Sequence, residues 1–365
     1  MKPKVGIGIV GTGFARRVQI PAFLASGGAY IASVASGTLA NAEATASECG
    51  ARHFTADWRE TVSLPDVDLV CITPPPNLHR EMALFAIKHG KHVLCEKPMA
   101  MNVAEAVEMT NATTGKPILA LIDHELRFQP GRQVAFTMLR EGVIGKVHHA
   151  KYIFQAPHRG DPNIPWNWWS DIDQGGGALG AINSHVVDSF NWFLGTDISS
   201  VFCQLQTNIK ERRDAAGEMR AVTSDDEANM LLRFADSELT DDATALVSVS
   251  MTEFPKYTNR IEFYGKHGAI RVGSRGNVYM TNSEEKTWNE VAVDLGIPIE
   301  GVPDTGFSRG FMAFAPVIIN AIRDARSTIE HAATFADGVR VQRILDAARE
   351  SDRTGSVVLT GNGKL

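Results

Sequence analysis

The chain has 365 residues, 44% of them hydrophobic and 21% charged, and a net charge of −6. That length accommodates two domains with a core each, and an acidic balance without a long basic run argues against a nucleic-acid surface. No apolar stretch approaches the roughly 18 residues a membrane span needs, so neither nucleic acid nor a membrane is an expected partner.

The N-terminal MKPKVGIGIVGTG places basic residues before apolar ones, as an export signal does. Its apolar run passes directly into a Gly-rich turn, so residues 5–10 read as a β-strand, and the protein is expected to be cytoplasmic. The four cysteines (Cys49, Cys71, Cys95, Cys203) have no metal-ligand spacing, so no metal is expected and they read as reduced structural thiols.

Gly11-Thr12-Gly13-Phe14-Ala15 follows the first strand and opens a helical pattern that runs to Leu24. A strand, Gly-x-Gly and a helix start form the context of a dinucleotide fingerprint. Gly11 permits the tight turn, Gly13 lets the backbone approach a pyrophosphate, and the amides at Phe14 and Ala15 face the anion. The third small residue of that fingerprint belongs at position 16, which is Arg16. Ala15 sits one place early, so helix packing here must differ. The second strand, 29–35, should present a ribose reader at its end. NAD-selective proteins place an acid there; this chain has Ser36-Gly37-Thr38. Two hydroxyls without a carboxylate, with Arg16 or Arg17 nearby for charge, favour NADP over NAD.

Residues 66–73 read as a third buried strand. Pro74, Pro75 and Pro76 then stiffen a loop against which a flat cofactor could lie, with Thr73, Pro74 and Asn77 as contacts. His79 reads either as a ligand contact or as a structural histidine at a helix start. A helix over 81–89 ends at Gly90. Val93, Leu94 and Cys95 make a short strand that must stop at Pro98, which lacks a donor. The Glu96-Lys97-Pro98 corner is a candidate cis peptide and places a lysine at the carboxyl end of a strand, where open α/β sheets bind ligands. A last strand at 117–122 gives about six parallel strands alternating with helices, a doubly wound Rossmann sheet over residues 1–122.

From Asp123 to the end, residues 123–365, the pattern changes. After Glu125-Leu126-Arg127-Phe128 come a helix at 131–141 and β-rich segments at 147–155, 201–209, 227–234, 243–254, 260–264 and 269–272. Few helices separate the later ones, so an α+β domain with a large, mostly antiparallel sheet is expected. Stretches 212–226 and 236–242 read as hairpin loops, and 332–349 as a late amphipathic helix. Gly175-Gly176-Gly177 precedes a helix carrying Asn183, His185 and Asp188. Trp166, Asn167, Trp168 and Trp169 stand before it, either to stack on a ring-shaped ligand or to close a core cluster. Arg127 either bonds substrate oxygens or anchors its loop.

The Gly-rich turn, the Glu96-Lys97-Pro98 corner and the run 175–188 (GGGALGAINSHVVD) together resemble the Gfo/Idh/MocA oxidoreductases, over nearly the whole chain. The resemblance implies that the 73–79 loop lies beneath a nicotinamide ribose, with Glu96 and Lys97 beside it. It also implies a homodimer or homotetramer joined through the C-terminal sheet. His185 matches the family histidine, but the aspartate four residues earlier is Ala181. Asp188, three residues after His185, or Glu125, standing where the family has Asn, are the candidates for a relocated carboxylate. The function implied is an NAD(P)-dependent dehydrogenase acting on a secondary alcohol of a sugar or polyol, with Lys97 and His185 catalytic and Glu125, Arg127, Trp166 and Asp188 on the substrate. A non-catalytic dinucleotide sensor and a glycoside-cleaving enzyme are the alternatives.

Overall fold

The computed structural model describes residues 2–361, and these form two compact units. The first contains the chain up to Gln129 together with Gly296–Val339. The second contains Pro130–Leu295 and the chain from Arg340 onward. A single boundary at 122/123 therefore does not describe the contacts, because a C-terminal stretch returns to the first unit.

The first unit is built on β1 (Val5–Val10), β2 (Ala29–Ala35), β3 (His53–Thr55), β4 (Leu69–Ile72), β5 (His92–Cys95) and β6 (Ala120–Ile122). They make one parallel sheet in the order β3-β2-β1-β4-β5-β6. This is the doubly wound arrangement, with its reversal beside β1. Between the strands run α1 (Ile20–Ala25), α2 (Leu39–Cys49), α3 (Trp58–Ser63), α4 (His79–Lys88) and α5 (Val103–Asn111). Short polar residues start several of them: Thr38, Asp57 and Asn102 each accept a backbone N–H of the first turn. A π-helical turn, Ala15–Gln19, precedes α1.

The second unit opens with α6 (Pro130–Arg140), β7 (Val147–Gln155), α7 (Ser184–Leu194) and β8 (Ile198–Gln206). A two-stranded ribbon, β9 (Glu211–Arg213) and β10 (Met219–Ala221), fills the expected hairpin loop. Then follow β11 (Glu227–Phe234), β12 (Thr240–Ser250), β13 (Thr258–Gly265), β14 (Gly268–Val272), β15 (Val278–Asn282) and β16 (Asn289–Val291). Helix α8 (Gly306–Arg323) belongs to the first unit, where it packs on α1 through Phe311, Phe314 and Phe23. Helix α9 (Phe335–Thr354) and β17 (Val358–Leu359) end the described chain.

The nine-stranded sheet runs β16-β15-β14-β13-β7-β12-β11-β8-β17, and only β7 with β12 is a parallel pair. Its strands alternate: Met230 and Leu232 are buried while Leu231 and Arg233 are exposed. Such alternation marks a sheet covered on one face. The covering helix is α7, whose Phe190 meets Tyr152, Phe234 and Phe263 edge-on. All four cysteines are free thiols. No described helix is long and apolar enough to cross a membrane.

Candidate active site

In the first unit the carboxyl ends of β1, β2, β4, β5 and β6 carry the polar groups. Gly11 has φ +89°, and a Cβ there would stand 2.8 Å from the Thr73 carbonyl carbon and from Pro74 N. Only glycine fits that turn without moving the β4 loop. The Thr73 hydroxyl faces the Gly11 and Val10 carbonyls at 2.7 and 3.0 Å and closes the same contact. Beyond it the chain is open: a Cβ on Gly13 would meet nothing within 4 Å. Ala15 is buried in the core while Arg16 points outward and binds Glu48, with Nε 2.7 Å from Oε2. Phe14 lies edge-on to Phe311.

Ser36 and Thr38 are not bare hydroxyls. Asn41 Nδ2 donates to Ser36 Oγ at 2.8 Å and to Thr12 Oγ1 at 2.7 Å, and Thr38 Oγ1 accepts the Asn41 N–H. Asn41 thus ties the Gly-rich turn to the end of β2. It escaped the sequence reading because its role depends on a partner 29 residues away. Asn77 is exposed on a 3₁₀ turn.

His79 is fully buried. Its Nε2 lies 2.9 Å from the Pro74 carbonyl and its Nδ1 3.0 Å from the Pro98 carbonyl. Both ring nitrogens are turned to the protein, the arrangement of a structural histidine. The residue staples the proline loop to the corner that carries Lys97. Burial, with Lys97 nearby, pushes its ring down to about 4 against the pull of the carbonyls.

The Lys97–Pro98 peptide is cis. Lys97 keeps about a fifth of its side chain exposed, with Nζ 3.9 Å from Glu96 Oε2. Glu96 and Asp123 are buried beneath it, and Gln19 reaches both. Glu125 is buried on the 3₁₀ turn Glu125–Phe128. Arg127 is buried as well: its guanidinium holds Asp337 at 3.4 Å and the His331 carbonyl at 3.3 Å. Those bonds tie its turn to the stretch at 331–337.

In the second unit, Gly177 has φ +112°, and a Cβ there would stand 2.4 Å from Asp225 Oδ1. Asp225 Oδ2 accepts the Leu179 N–H at 2.7 Å, and its carbonyl accepts Ala178 N–H at 2.9 Å. This carboxylate therefore holds the start of the helix bearing His185, and burial pushes it up to about 6. It lies in the acidic stretch that had read as mere loop. A second π-helical turn, Leu179–Asn183, leads into α7, where Ala181, His185 and Asp188 are all buried. Ser189 Oγ donates to the His185 carbonyl at 2.6 Å and accepts from Arg132 Nη1 at 2.6 Å.

Trp166 is held at the ribbon. Its Nε1 donates to the Ala221 carbonyl at 3.0 Å, and the Arg220 guanidinium covers its ring at 3.6 Å. The indole anchors the β9–β10 ribbon, because a half-buried Trp N–H takes the nearest carbonyl.

The family model for the oxidoreductase family with an NAD-binding Rossmann fold (GFO_IDH_MocA) matches residues 5–124, and the GFO/IDH/MocA C-terminal domain matches 133–271. An uncharacterised oxidoreductase of Synechocystis is 31% identical over 274 residues, covering 74% of this chain and 72% of that protein. Levoglucosan dehydrogenase of Pseudarthrobacter phenanthrenivorans is 29% identical over 324 residues, covering 83% and 82%. The solved complex of levoglucosan dehydrogenase with NADH and levoglucosan is similar with a TM-score of 0.87 at 26% identity, over 98% of this chain and 99% of that one. With a parallel dinucleotide-binding sheet, a large mixed second sheet and both domain models matched, the chain belongs to the Gfo/Idh/MocA family of NAD-binding oxidoreductases.

Proposed function

We propose that this oxidoreductase moves hydride between a nicotinamide dinucleotide and a secondary alcohol of a sugar, polyol or related carbohydrate. The observation that carries the reading is Lys97, a partly exposed cation at the carboxyl end of β5, the edge where doubly wound sheets receive ligands. Similarity to levoglucosan dehydrogenase along almost the full chain supports the substrate class. Gly11, Gly13, Phe14 and Ala15 would hold the pyrophosphate, and the unobstructed backbone at Gly13 fits that use. Ser36 and Thr38 would meet the adenosine ribose; Thr73, Pro74, Asn77 and Glu96 would line the nicotinamide side.

When bound, the nicotinamide ring supplies the hydride acceptor. Lys97 stabilises the developing alkoxide, and His185 takes the hydroxyl proton. Asp188 orients His185 from the same helix, or Glu125 does so in its place. Incubating the protein with NAD or NADP and a panel of anhydrosugars, aldoses and polyols tests the reading by the absorbance of reduced cofactor. Tight dinucleotide binding without turnover on any member would leave a non-catalytic sensor.

On cofactor choice, we infer that NADP binds at least as tightly as NAD, since no carboxylate ends β2 and Ser36 and Thr38 offer hydroxyls. Fluorescence titration decides it: NAD binding roughly a hundredfold tighter, about 2.7 kcal/mol, would overturn it. Leu231 and Leu246, 55% and 42% exposed and paired across β11 and β12, support a homodimer or homotetramer through the outer face of the second sheet. Light scattering on Leu231→Glu should then return a smaller particle. Four free thiols are consistent with work in the cytoplasm.

A further inference from the structure

The chemistry given to Lys97 leaves a group of buried acids beneath it unused. Glu96 and Asp123 each follow the last residue of a strand, and the parallel register pairs those residues, Cys95 with Ile122. The two acids are therefore neighbours across β5 and β6, locked by the Asp123 N–H on the Cys95 carbonyl at 2.8 Å. Gln19 comes over them from the first helix, fully buried. Its Nε2 lies 3.2 Å from Glu96 Oε1 and 2.7 Å from Asp123 Oδ2. One amide nitrogen thus bonds both carboxyl groups and holds Glu96 Oε1 and Asp123 Oδ2 side by side. Lys97 stands beside Glu96, and the Glu125 carboxyl and the Cys71 and Cys95 thiols lie within electrostatic range of the pair.

Two carboxylates that share one neutral donor away from water cannot both ionise cheaply, so one of them keeps a proton. Electrostatics decides which group keeps it. Glu96 Oε2 has the Lys97 N–H at 3.3 Å and Lys97 Nζ at 3.9 Å. Asp123 feels two carboxyls, Glu96 and Glu125, and its side-chain donor is the neutral Gln19 amide at Oδ2, with no partner at Oδ1. Burial and those two neighbours push the Asp123 carboxyl well up, in the direction the geometry requires. Glu96 is raised less, and Lys97 pulls it back.

We propose that the Glu96–Asp123 pair works with one proton, carried on Asp123, and that Asp123 and Gln19 are positioning residues that fix the Glu96 carboxylate against Lys97. The proposal rests on the role given to Lys97 above. Asp123 donates to Glu96, Gln19 braces both, and the second Glu96 oxygen is left aimed at the lysine. Loss of the Asp123 proton would place a second negative charge beside Lys97 and loosen that aim, so activity declines on the alkaline side.

Infrared spectra near pH 8, where an ordinary carboxyl is ionised, test the proton directly. A band of protonated carboxyl should move with carbon-13-labelled aspartate, stay put with labelled glutamate, and vanish in Asp123→Asn. No band, or one that follows the glutamate label, overturns the proposal. Kinetics test the positioning: Asp123→Leu should lower kcat by on the order of tenfold to a hundredfold, the cost of misplacing a catalytic group, with KM little changed. Asp123→Asn donates the same hydrogen bond without titrating, so it should recover most of that loss and abolish the alkaline decline. Asn as damaging as Leu overturns the positioning role. The infrared arm needs no turnover, so a protein inactive on every alcohol would refute the proposed function without touching the carboxyl pair.

Discussion

His79 offers a test in which two physical effects predict opposite signs. Its ring nitrogens face the Pro74 and Pro98 carbonyls, 2.9 and 3.0 Å away. An imidazolium would satisfy both, gaining roughly 1.5–3 kcal/mol for a charge-assisted bond. Burying that cation costs several kcal/mol, and Lys97 adds repulsion. Desolvation wins, so the ring is neutral when folded, titrating at about 4 against 6.5 in the unfolded chain. The unfolded state then binds more protons between those values, and stability rises with pH across them. At about 1.4 kcal/mol per pH unit the full effect is about 3 kcal/mol. The assay is urea unfolding of wild type and His79→Gln from pH 8 to pH 4; other titrations occur in both and cancel. Wild type should be the more stable at pH 8, by about 1–3 kcal/mol for the lost contacts, and its advantage should shrink as the solution is acidified. An advantage that grows on acidification would mean His79 is charged in the fold, and the reasoning from burial would fail.

Lys97→Ala should lower kcat/KM by on the order of 10²–10³, the worth of an oxyanion-type contact, while dinucleotide binding by the fluorescence assay persists. Arg16 is neutralised by Glu48, so Glu48→Gln should tighten NADP and leave NAD unchanged; equal effects on both would remove Arg16 from cofactor choice. Gly177→Ala should cost about 1–2 kcal/mol for a side chain at positive φ, beyond its collision with Asp225, read as a fall in the urea midpoint. Asp188→Asn and Glu125→Gln should be compared across pH: the true partner of His185 shifts the acidic limb of the rate profile when replaced, since a neighbouring carboxylate raises a histidine. Unchanged profiles in both would refute a relocated carboxylate.

What could be read from the chain was what its neighbours in sequence decide. The strand, Gly11 turn and helix start are one local pattern, and Pro98 ends β5 because it lacks a donor. What could not be read depends on distant partners. Asn41 matters through Thr12, Gln19 through Glu96 and Asp123, and Asp225 through Leu179, 46 residues away. Helix α8 was invisible because Gly310 and Pro316 stand inside it, and both residues argue against a helix. In the fold Gly310 has a use, since a Cβ there would meet the Glu125 carbonyl at 2.3 Å. Trp166 was placed by its residue type, but the ribbon that claims it begins 45 residues later.

Both helices that open on a Gly-rich turn begin with a π-helical turn, Ala15–Gln19 and Leu179–Asn183. A π turn bonds i to i+5, so the 3.6-residue period by which faces are read from sequence does not hold across it. At the first site this reconciles the displaced fingerprint: Ala15 goes to the core, Arg16 to the surface, and Gln19 to the acids. At the second it leaves Ala181 beside the face of His185. Position 181 lies inside the wide turn, whose i to i+5 bonds still bring residue 185 back to nearly the same face. Regular α-helix begins at Ser184, and His185 with Asp188 is a true i, i+3 pair. Asp188 is the carboxylate that α7 itself offers one turn beyond the histidine, and the pH comparison of Asp188→Asn with Glu125→Gln tests whether it replaces the aspartate missing at 181.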